Sequence, residues 1–300
     1  MKNEKKKAPA KKSQPKKTDS KPLKLKKKRK NQIIIFLIIL LVWWFNNYTL
    51  KTERVKLESA KIHSDIKFAV ISDMHADRGG ISKETIAQRV ISNKPDAVFI
   101  IGDMFTSDAD DEEKHIPVEL TEMLIENGLS VYFVTGDHDN MDSRYLADMQ
   151  NLGAHLMNYE SEYIDIGGNL IRIIGIDNAY YSDTFDLRNA FTLDSDIYTV
   201  LLAHIPKYDS FAQFGADLTI CGDTHGGMVQ IPFGFGPVYD SETNAKLPKI
   251  RFPEMKIYDK GMFEYSGGGM FISSGTGLYP APVRFNNRPE IDIIEVKAIG

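Results

Sequence analysis

The sequence predicts an α/β layered domain with mixed sheets, preceded by one transmembrane helix. Three observations carry that reading: an unbroken apolar core from Ile33 to Phe45, short β-branched runs alternating with helical stretches from residue 67 onward, and no internal repeat of the length that builds solenoids. At 300 residues and 42% hydrophobic content the chain can bury a real core, so it is not a disordered protein.

The N-terminal segments come first. Residues 1–30 hold fifteen Lys or Arg against Glu4 and Asp19, a net +13, and taking that from the chain's −4 leaves −17 for the rest. The basic charge thus sits in a Lys-rich tail without aromatics or periodicity, which argues against nucleic acid as a partner and for a disordered segment on an anionic membrane face. Asn31 to Leu50 is uncharged, and as a helix spans roughly 30 Å, the thickness of a bilayer's hydrocarbon. A cleaved signal peptide shares these features, but NNYTLKTERVKLES after Phe45 offers no A-x-A site, which favours an uncleaved signal anchor. The Lys cluster keeps the N-terminus cytoplasmic, and Trp43, Trp44 and Tyr48 meet the far interface, so the expected protein is single-pass in the cell membrane with its domain extracytoplasmic. The organisation is a basic cytoplasmic tail over 1–30, the anchor over 31–50, a polar linker over 51–64 and the domain over 65–300.

Within the domain, strands are predicted at KFAVIS (67–72), AVFII (97–101), VYFVT (131–135), LIRIIGI (170–176), YTVLLA (198–203), DLTIC (217–221), MFISS (270–274) and IDIIEV (291–296). Ser82 to Asn93 and Pro117 to Asn127 have helical composition. Pro232 to Gly269, rich in Gly, Pro and aromatics, predicts a long loop with one or two short hairpins. The only cysteine, Cys221, excludes an intrachain disulfide and a Cys-based zinc site, and its place at the end of DLTIC marks it as a buried small hydrophobe.

Five of the apolar runs end in residues able to bind a metal: Asp73 and His75, then Asp103, then Asp137 with His138, then His204, then Asp223 and His225. Strand ends in open α/β sheets face a common crevice, and the glycines at 102, 136 and 222 suit tight turns beside such ligands. One Asp-x-His alone is more often a cap or surface pair; five such ends in order are hard to explain that way.

In these motifs, and in GDTHGG and the terminal SSGTGLYPAPVRFNNRPEIDII, the chain resembles the calcineurin-like metallophosphoesterase superfamily over about residues 65–297. Its signature is Asp-x-His, Gly-Asp, Gly-Asn-His, a later His and Gly-His-x-His, and the resemblance is nearest to the bacterial membrane-associated branch with hydrolases of lipid-linked substrates such as UDP-diacylglucosamine. The resemblance implies a four-layer α/β/β/α sandwich of two mixed sheets and a phosphoester hydrolase with a dinuclear metal centre and bridging hydroxide. One divalent ion would be bound by Asp73, His75 and His225, with Asp103 bridging to a second bound by Asp137, His204 and Asp223. His138 would stand near the leaving-group oxygen as proton donor or charge stabiliser. Manganese is the expected ion, with Fe, Zn or Mg as alternatives, because carboxylate and imidazole ligands select weakly among them. The substrate would be a phosphate ester at the membrane or cell wall, lipid-linked in one version. The sequence assigns neither substrate-contacting residues nor an oligomeric state.

The departures from the signature define a second reading. Asp137 stands where the family has Asn, Asp223 where it has the first His of Gly-His-x-His, and Thr106 where many relatives carry an Asp that orients the catalytic His, with Asp108 or Asp139 as substitutes. Asp73, Asp103, Asp137 and Asp223 would then cancel two divalent ions, favouring a harder ion such as Mn or Mg, or trivalent iron, at the second position. A membrane-tethered metal-binding or sensing protein with degraded catalysis is therefore the rival function.

The acidic run from Asp108 to Glu113 lacks the spacing of a calcium loop and predicts a solvated surface segment. His63, His115 and His155 are expected to be ordinary surface or packing residues. Ile231 to Tyr239 is expected to be core packing ahead of an acyl-chain wall, Arg284 and Arg288 to pair with acidic neighbours rather than phosphate, and Tyr279 to Pro282 to be a turn.

Overall fold

A computed structural model describes residues 21–177, 185–232, 236–243, 245–246 and 256–299. Trp43–Gly300 form one compact unit, and the residues up to Val42 belong to another. Helix α1 spans Lys21–Tyr48, and its segment Lys27–Tyr48 is long and apolar enough to cross a membrane. Ile33 to Phe45 stand exposed along it. The expected unstructured tail is thus shortened: residues 1–20 lie outside the described residues, and from Lys21 the Lys-rich stretch continues the helix.

Strands and helices then alternate: β1 Lys51–Ser59, β2 Ile66–Ile71, α2 Lys83–Asn93, β3 Ala97–Ile101, α3 Asp111–Glu126, β4 Val131–Val134, α4 Ser143–Asn151, β5 His155–Leu156, β6 Ser161–Ile166 and β7 Asn169–Ile176. There follow α5 Leu187–Ala190, β8 Tyr198–Ala203, α6 Tyr208–Phe214, β9 Leu218–Cys221, β10 Tyr239–Asp240, β11 Ala245–Lys246, β12 Gly261–Tyr265, β13 Gly268–Ile272 and β14 Glu290–Ala298. One six-stranded sheet runs β1-β14-β2-β3-β4-β5 and the other β12-β13-β9-β8-β7-β6, each with parallel and antiparallel neighbours.

The period-2 geometry of a strand sorts its side chains into three cores. In β2, Phe68 and Val70 face the second sheet and pack with Ile173, Val200, Leu202 and Ile220. Ala69 and Ile71 face outward onto Ile86 and Val90 of α2, Val118 and Leu124 of α3, and Tyr145 of α4. The outer face of the second sheet, with Ile174, Leu201 and Ile272, is covered by Leu187 of α5 and Phe211 of α6. The result is the four-layer α/β/β/α sandwich expected.

One local reading needs correction. Residues 51–64 are not simply a linker: β1 pairs in parallel register with β14, from Lys51 opposite Glu290 to Ser59 opposite Ala298. Its charged residues suited a linker, yet Arg54, Lys56 and Glu58 point to solvent while Val55 and Leu57 pack on the inter-sheet core, the pattern of a protected edge strand. The acidic run is solvated, as expected, and it also starts α3: Asp110 caps the helix in a capping box with Glu113, and Asp111 to Glu113 sit where the helix dipole favours negative charge. The long loop holds short hairpins, as expected: β10–β11 and, at its end, β12 paired with β13. Part of the stretch from Ile231 to Tyr239, residues 233–235, lies outside the described residues.

The strands β2, β3 and β4 are mutually parallel, as are β8 and β9, so their carboxyl ends emerge on shared rims, and each runs into one of the candidate metal-ligand motifs. A chain shortened to begin at Lys61 loses β1 and the two half-buried side chains Val55 and Leu57. At about 1 kcal/mol each it should be roughly 2 kcal/mol less stable than a chain beginning at Lys51. Urea melts of the two compare them directly; equal midpoints would show β1 to be dispensable.

Candidate metal centre

The turns after these strands are strained. Asp73 (φ 48°), His75 (φ 41°), Asp103 (φ 54°), Asp223 (φ 69°) and His225 (φ 50°) all adopt the left-handed backbone region, which costs of order 1 kcal/mol or more apiece. Such strain persists only where surrounding contacts fix it. Here Asp73 N donates to Gly102 O (3.1 Å), His75 N to Asp103 O (3.1 Å), and Gly222 N to His204 O (2.8 Å). Asp223 N donates to Asp73 Oδ1 (2.9 Å) and His138 N to Asp103 Oδ1 (3.0 Å), so each turn is stitched to another. Glycine is required beside them: a Cβ on Gly136 would collide with Asp103 Oδ1, and one on Gly222 with Ser72 Oγ.

The seven side chains scattered from Asp73 to His225 converge. Ligand-capable atoms of Asp73, His75 and His225 lie within 4.8 Å of one another, and so do those of Asp73, Asp103 and His204, and those of Asp137, His204 and Asp223. Asp103 stands in the middle, its Oδ2 3.6 Å from His75 Nε2 and 3.4 Å from His204 Nε2. His204 Nε2 is also 3.6 Å from Asp137 Oδ1, and His225 Nε2 is 3.8 Å from Asp73 Oδ1. His138 joins Asp103 and Asp137 in a further group of the same size.

These donors fit cations. Both ring nitrogens of His75, Nε2 of His204 and Nδ1 of His225 are buried without a hydrogen-bond partner. His204 Nδ1 lies 2.7 Å from Ile101 O, which makes that nitrogen the donor and leaves the Nε2 lone pair facing two carboxylates. A lone pair and carboxylates repel unless a proton or a metal ion lies between them. Metal-ligating imidazoles are commonly oriented in this way, by a carbonyl holding the other nitrogen.

Burial shapes the protonation of the cluster. It raises Asp73 to about 7, with neighbouring Asp103 and Asp223 adding to the shift. It raises Asp223 to about 6 as well. Asp103 goes the other way: burial would raise it, but His204 and His75 together outweigh that and lower it. Burial lowers His75 to about 4 against the pull of Asp103, and it lowers His225 well below the usual imidazole range, aided by His75 and Arg284. These two imidazoles are therefore neutral at physiological pH, with lone pairs free to ligate.

The surroundings of His138 differ from both expectations for them. Ser107 N donates to His138 Nδ1 at 3.3 Å, so the neutral ring carries its proton on Nε2. Asp108 is engaged by Arg78 and Thr106. Asp139, buried and raised to about 7 by desolvation and by Asp103, accepts from Met104 N (2.9 Å) and Gly136 N (2.7 Å). Neither acid replaces the missing Asp partner of His138; a backbone N–H stands there instead. Arg284 and Arg288 also depart from expectation, since Arg284 donates to the Ser274 and Gly277 carbonyls and Arg288 to the Thr49 and Leu50 carbonyls. His155 bonds Glu162 and stacks on Tyr132, and Cys221 is buried, as the sequence indicated.

Tyr279 is the residue that sequence reasoning missed. Expected to mark a simple turn, it stacks on His75 with ring centroids 4.4 Å apart and meets His138 edge-on at 5.1 Å. Its only signal was an aromatic inside a Gly- and Pro-rich stretch. Beside Asp137 and Asp223 opens a cavity of about 880 Å³ lined also by Lys207, Tyr208, Tyr239 and Lys256. Tyr208 stacks on Tyr258 there at 4.5 Å, and Lys256 Nζ lies 5.4 Å above the Tyr208 ring.

Comparison with known proteins places this geometry. The family described as calcineurin-like phosphoesterase matches residues 66–227, from the start of β2 to the turn that carries His225. A Bacillus subtilis (strain 168) protein named uncharacterized metallophosphoesterase YkuE is 24% identical over 72% of this chain and 72% of its own length. An uncharacterized metallophosphoesterase of Aquifex aeolicus (strain VF5) is 26% identical over 84% of this chain and 94% of its own. A Bos taurus protein named transmembrane protein with metallophosphoesterase domain is 25% identical over 78% of this chain, which spans 54% of that protein. With the family match extending over more than half of the chain and enclosing all five ligand-bearing turns, the chain belongs to the calcineurin-like phosphoesterases, a family of metal-dependent phosphoester hydrolases.

Proposed function

We propose that the chain hydrolyses a phosphate ester at a membrane surface, using two divalent ions. The observation that carries this is the Asp103 carboxylate, buried between His75 on one side and His204 on the other, with both imidazole Nε2 atoms lacking any hydrogen-bond partner. Asp73, His75 and His225 would hold the first ion and Asp137, His204 and Asp223 the second, with Asp103 shared between them. Ions in these positions would acidify a water and offset the charge on the phosphoryl oxygens. The second position, with three carboxylates and one imidazole, suits an oxygen-preferring ion such as manganese or magnesium. His138 presents its Nε2–H, which can hydrogen-bond the leaving oxygen and stabilise its charge.

The apolar helix α1 supports a single-pass anchor with the N-terminus cytoplasmic and the domain outside, and the name of the bovine relative agrees with an anchored phosphoesterase. An anchored site favours a substrate at or near the membrane, such as a lipid-linked phosphate or cell-wall precursor. The cavity beside Asp137 and Asp223, with its lysines and stacked tyrosines, suits a polar head group.

A second reading, a tethered cation-binding or sensing protein without turnover, is favoured by one observation. Asp108 and Asp139 are both committed elsewhere, so neither orients His138.

With manganese and an activated aryl phosphodiester, Asp103→Asn in the full chain should lose at least about a hundredfold in kcat/KM, because removing a shared ligand costs more than removing its outer-sphere partners. Activity indifferent to this change would remove the hydrolase reading. The double change Asp137→Asn with Asp223→His separates the two functions. If only that variant turns over, the natural chain is the sensor. Manganese binding should also depend on pH. Asp73, at about 7, and Asp223, at about 6, keep protons that a cation must displace, so affinity should fall as pH drops from about 7.5 to about 5.5. Below each value the slope should approach tenfold per displaced proton per pH unit, roughly, as calorimetry can measure. A flat profile would mean that these carboxylates do not ligate.

A further inference from the structure

The two halves of the cluster are oriented from different parts of the fold. His204 takes its orientation from Ile101 O at the end of β3. The first group, Asp73, His75 and His225, is instead touched throughout by one segment, residues 274–288. Thr276 N donates to Ser72 O (3.0 Å) and Gly277 N to Asp73 O (2.8 Å). A Cβ on Gly275 would lie 2.6 Å from Asp73 Cβ, so the segment presses directly on that ligand. The Tyr279 ring stacks on His75 at 4.4 Å, and Asn287 Nδ2 donates to His225 O at 2.7 Å.

The opposite face of the same segment is fastened to the last turn of α1. Asn47, fully buried, donates from Nδ2 to Arg284 O (3.2 Å) and accepts at Oδ1 from Arg284 N (2.6 Å). Asn46 Oδ1 accepts from Asn286 N (2.8 Å). The Arg288 guanidinium lies 4.4 Å from the Phe45 ring centroid. Arg284, 1% exposed, then carries the connection inward, from Nε to Gly277 O and from Nη2 to Ser274 O, both 2.8 Å. A buried guanidinium spent on backbone carbonyls, with Nη1 left without a partner, is costly unless it fixes a geometry that matters.

We infer that the last turn of α1 is a working part of the first cation position: Asn47 seats residues 274–288 through Arg284, and that segment sets the placement of Asp73, His75 and His225. The inference rests on the two-cation reading above. Asn47 and Arg284 are thus positioning residues, and loading of the first position depends on the helix end being docked.

Manganese titration of the full chain in detergent micelles tests this without measuring activity. The natural chain should bind two ions. Asn47→Ala should weaken one of them by about tenfold or more, the scale of losing an outer-sphere support, and leave the other within about twofold. Arg284→Lys should act on the same ion. In a His225→Ala background, which removes the first position, Asn47→Ala should change nothing further. Should Asn47→Ala fail to melt cooperatively, Asn46→Ala, which removes the bond to Asn286, carries the same comparison with a smaller shift. Two ions bound as in the natural chain, or both weakened alike, would overturn the inference. A natural chain binding no manganese would instead remove the two-cation reading itself.

Discussion

Four carboxylates and three imidazoles packed within a few ångströms of one another form an arrangement that a protein interior does not tolerate in its fully ionised state without compensating cations. Much else in the molecule follows from that constraint. Without cations, protons must stand in: burial holds Asp73 and Asp223 protonated to near-neutral pH, while His204, raised well above its usual range by Asp103 against the effect of burial, keeps a positive charge. With cations, those protons leave and the lone pairs already aimed inward find partners. The neutral state of His75 and His225 readies them as ligands, since both are desolvated before any ion arrives.

The strain in the turns belongs to the same account. Five candidate ligands in the left-handed backbone region bring their side chains back over the strand ends, where an extended continuation would carry them away. Local sequence alone does not make that conformation stable. It is imposed by cross-turn hydrogen bonds, such as His138 N to Asp103 Oδ1, and by glycines at 136 and 222 that let backbones approach where any side chain would intrude.

The β-branched runs were legible in the sequence because buried strands of a two-sheet sandwich are apolar on both faces: AVFII and YTVLLA coincide with β3 and β8. The convergence of the candidate ligands was legible because each follows such a run. What stayed hidden was information carried by pairing and packing. In β1, KTERVKLES offers only Val55 and Leu57 to the core, so its charge outweighs its alternation when read alone. Asp110 to Glu113 is the solvated acidic run it looks like, but that a helix begins there shows only in its capping box. Asn46 and Asn47 read as polar flanks of a membrane helix because their bonding partners, Arg284 and Asn286, lie more than two hundred residues away. Tyr279 was missed for the same reason: nothing near it in the chain shows that His75 lies beneath it.

The strand order of the first sheet also governs how the molecule can be made. β14, the last strand, lies between β1 and β2, two of the earliest. A chain emerging from the ribosome therefore produces both neighbours of a slot long before its occupant exists. Until residues 290–298 clear the exit tunnel, the backbone edges of β1 and β2 stay open to foreign strands, and the long-range pairing that seals them makes closure slow. This sheet can close only once residues 290–298 have been made, so until then the nascent domain depends on shielding of those two edges.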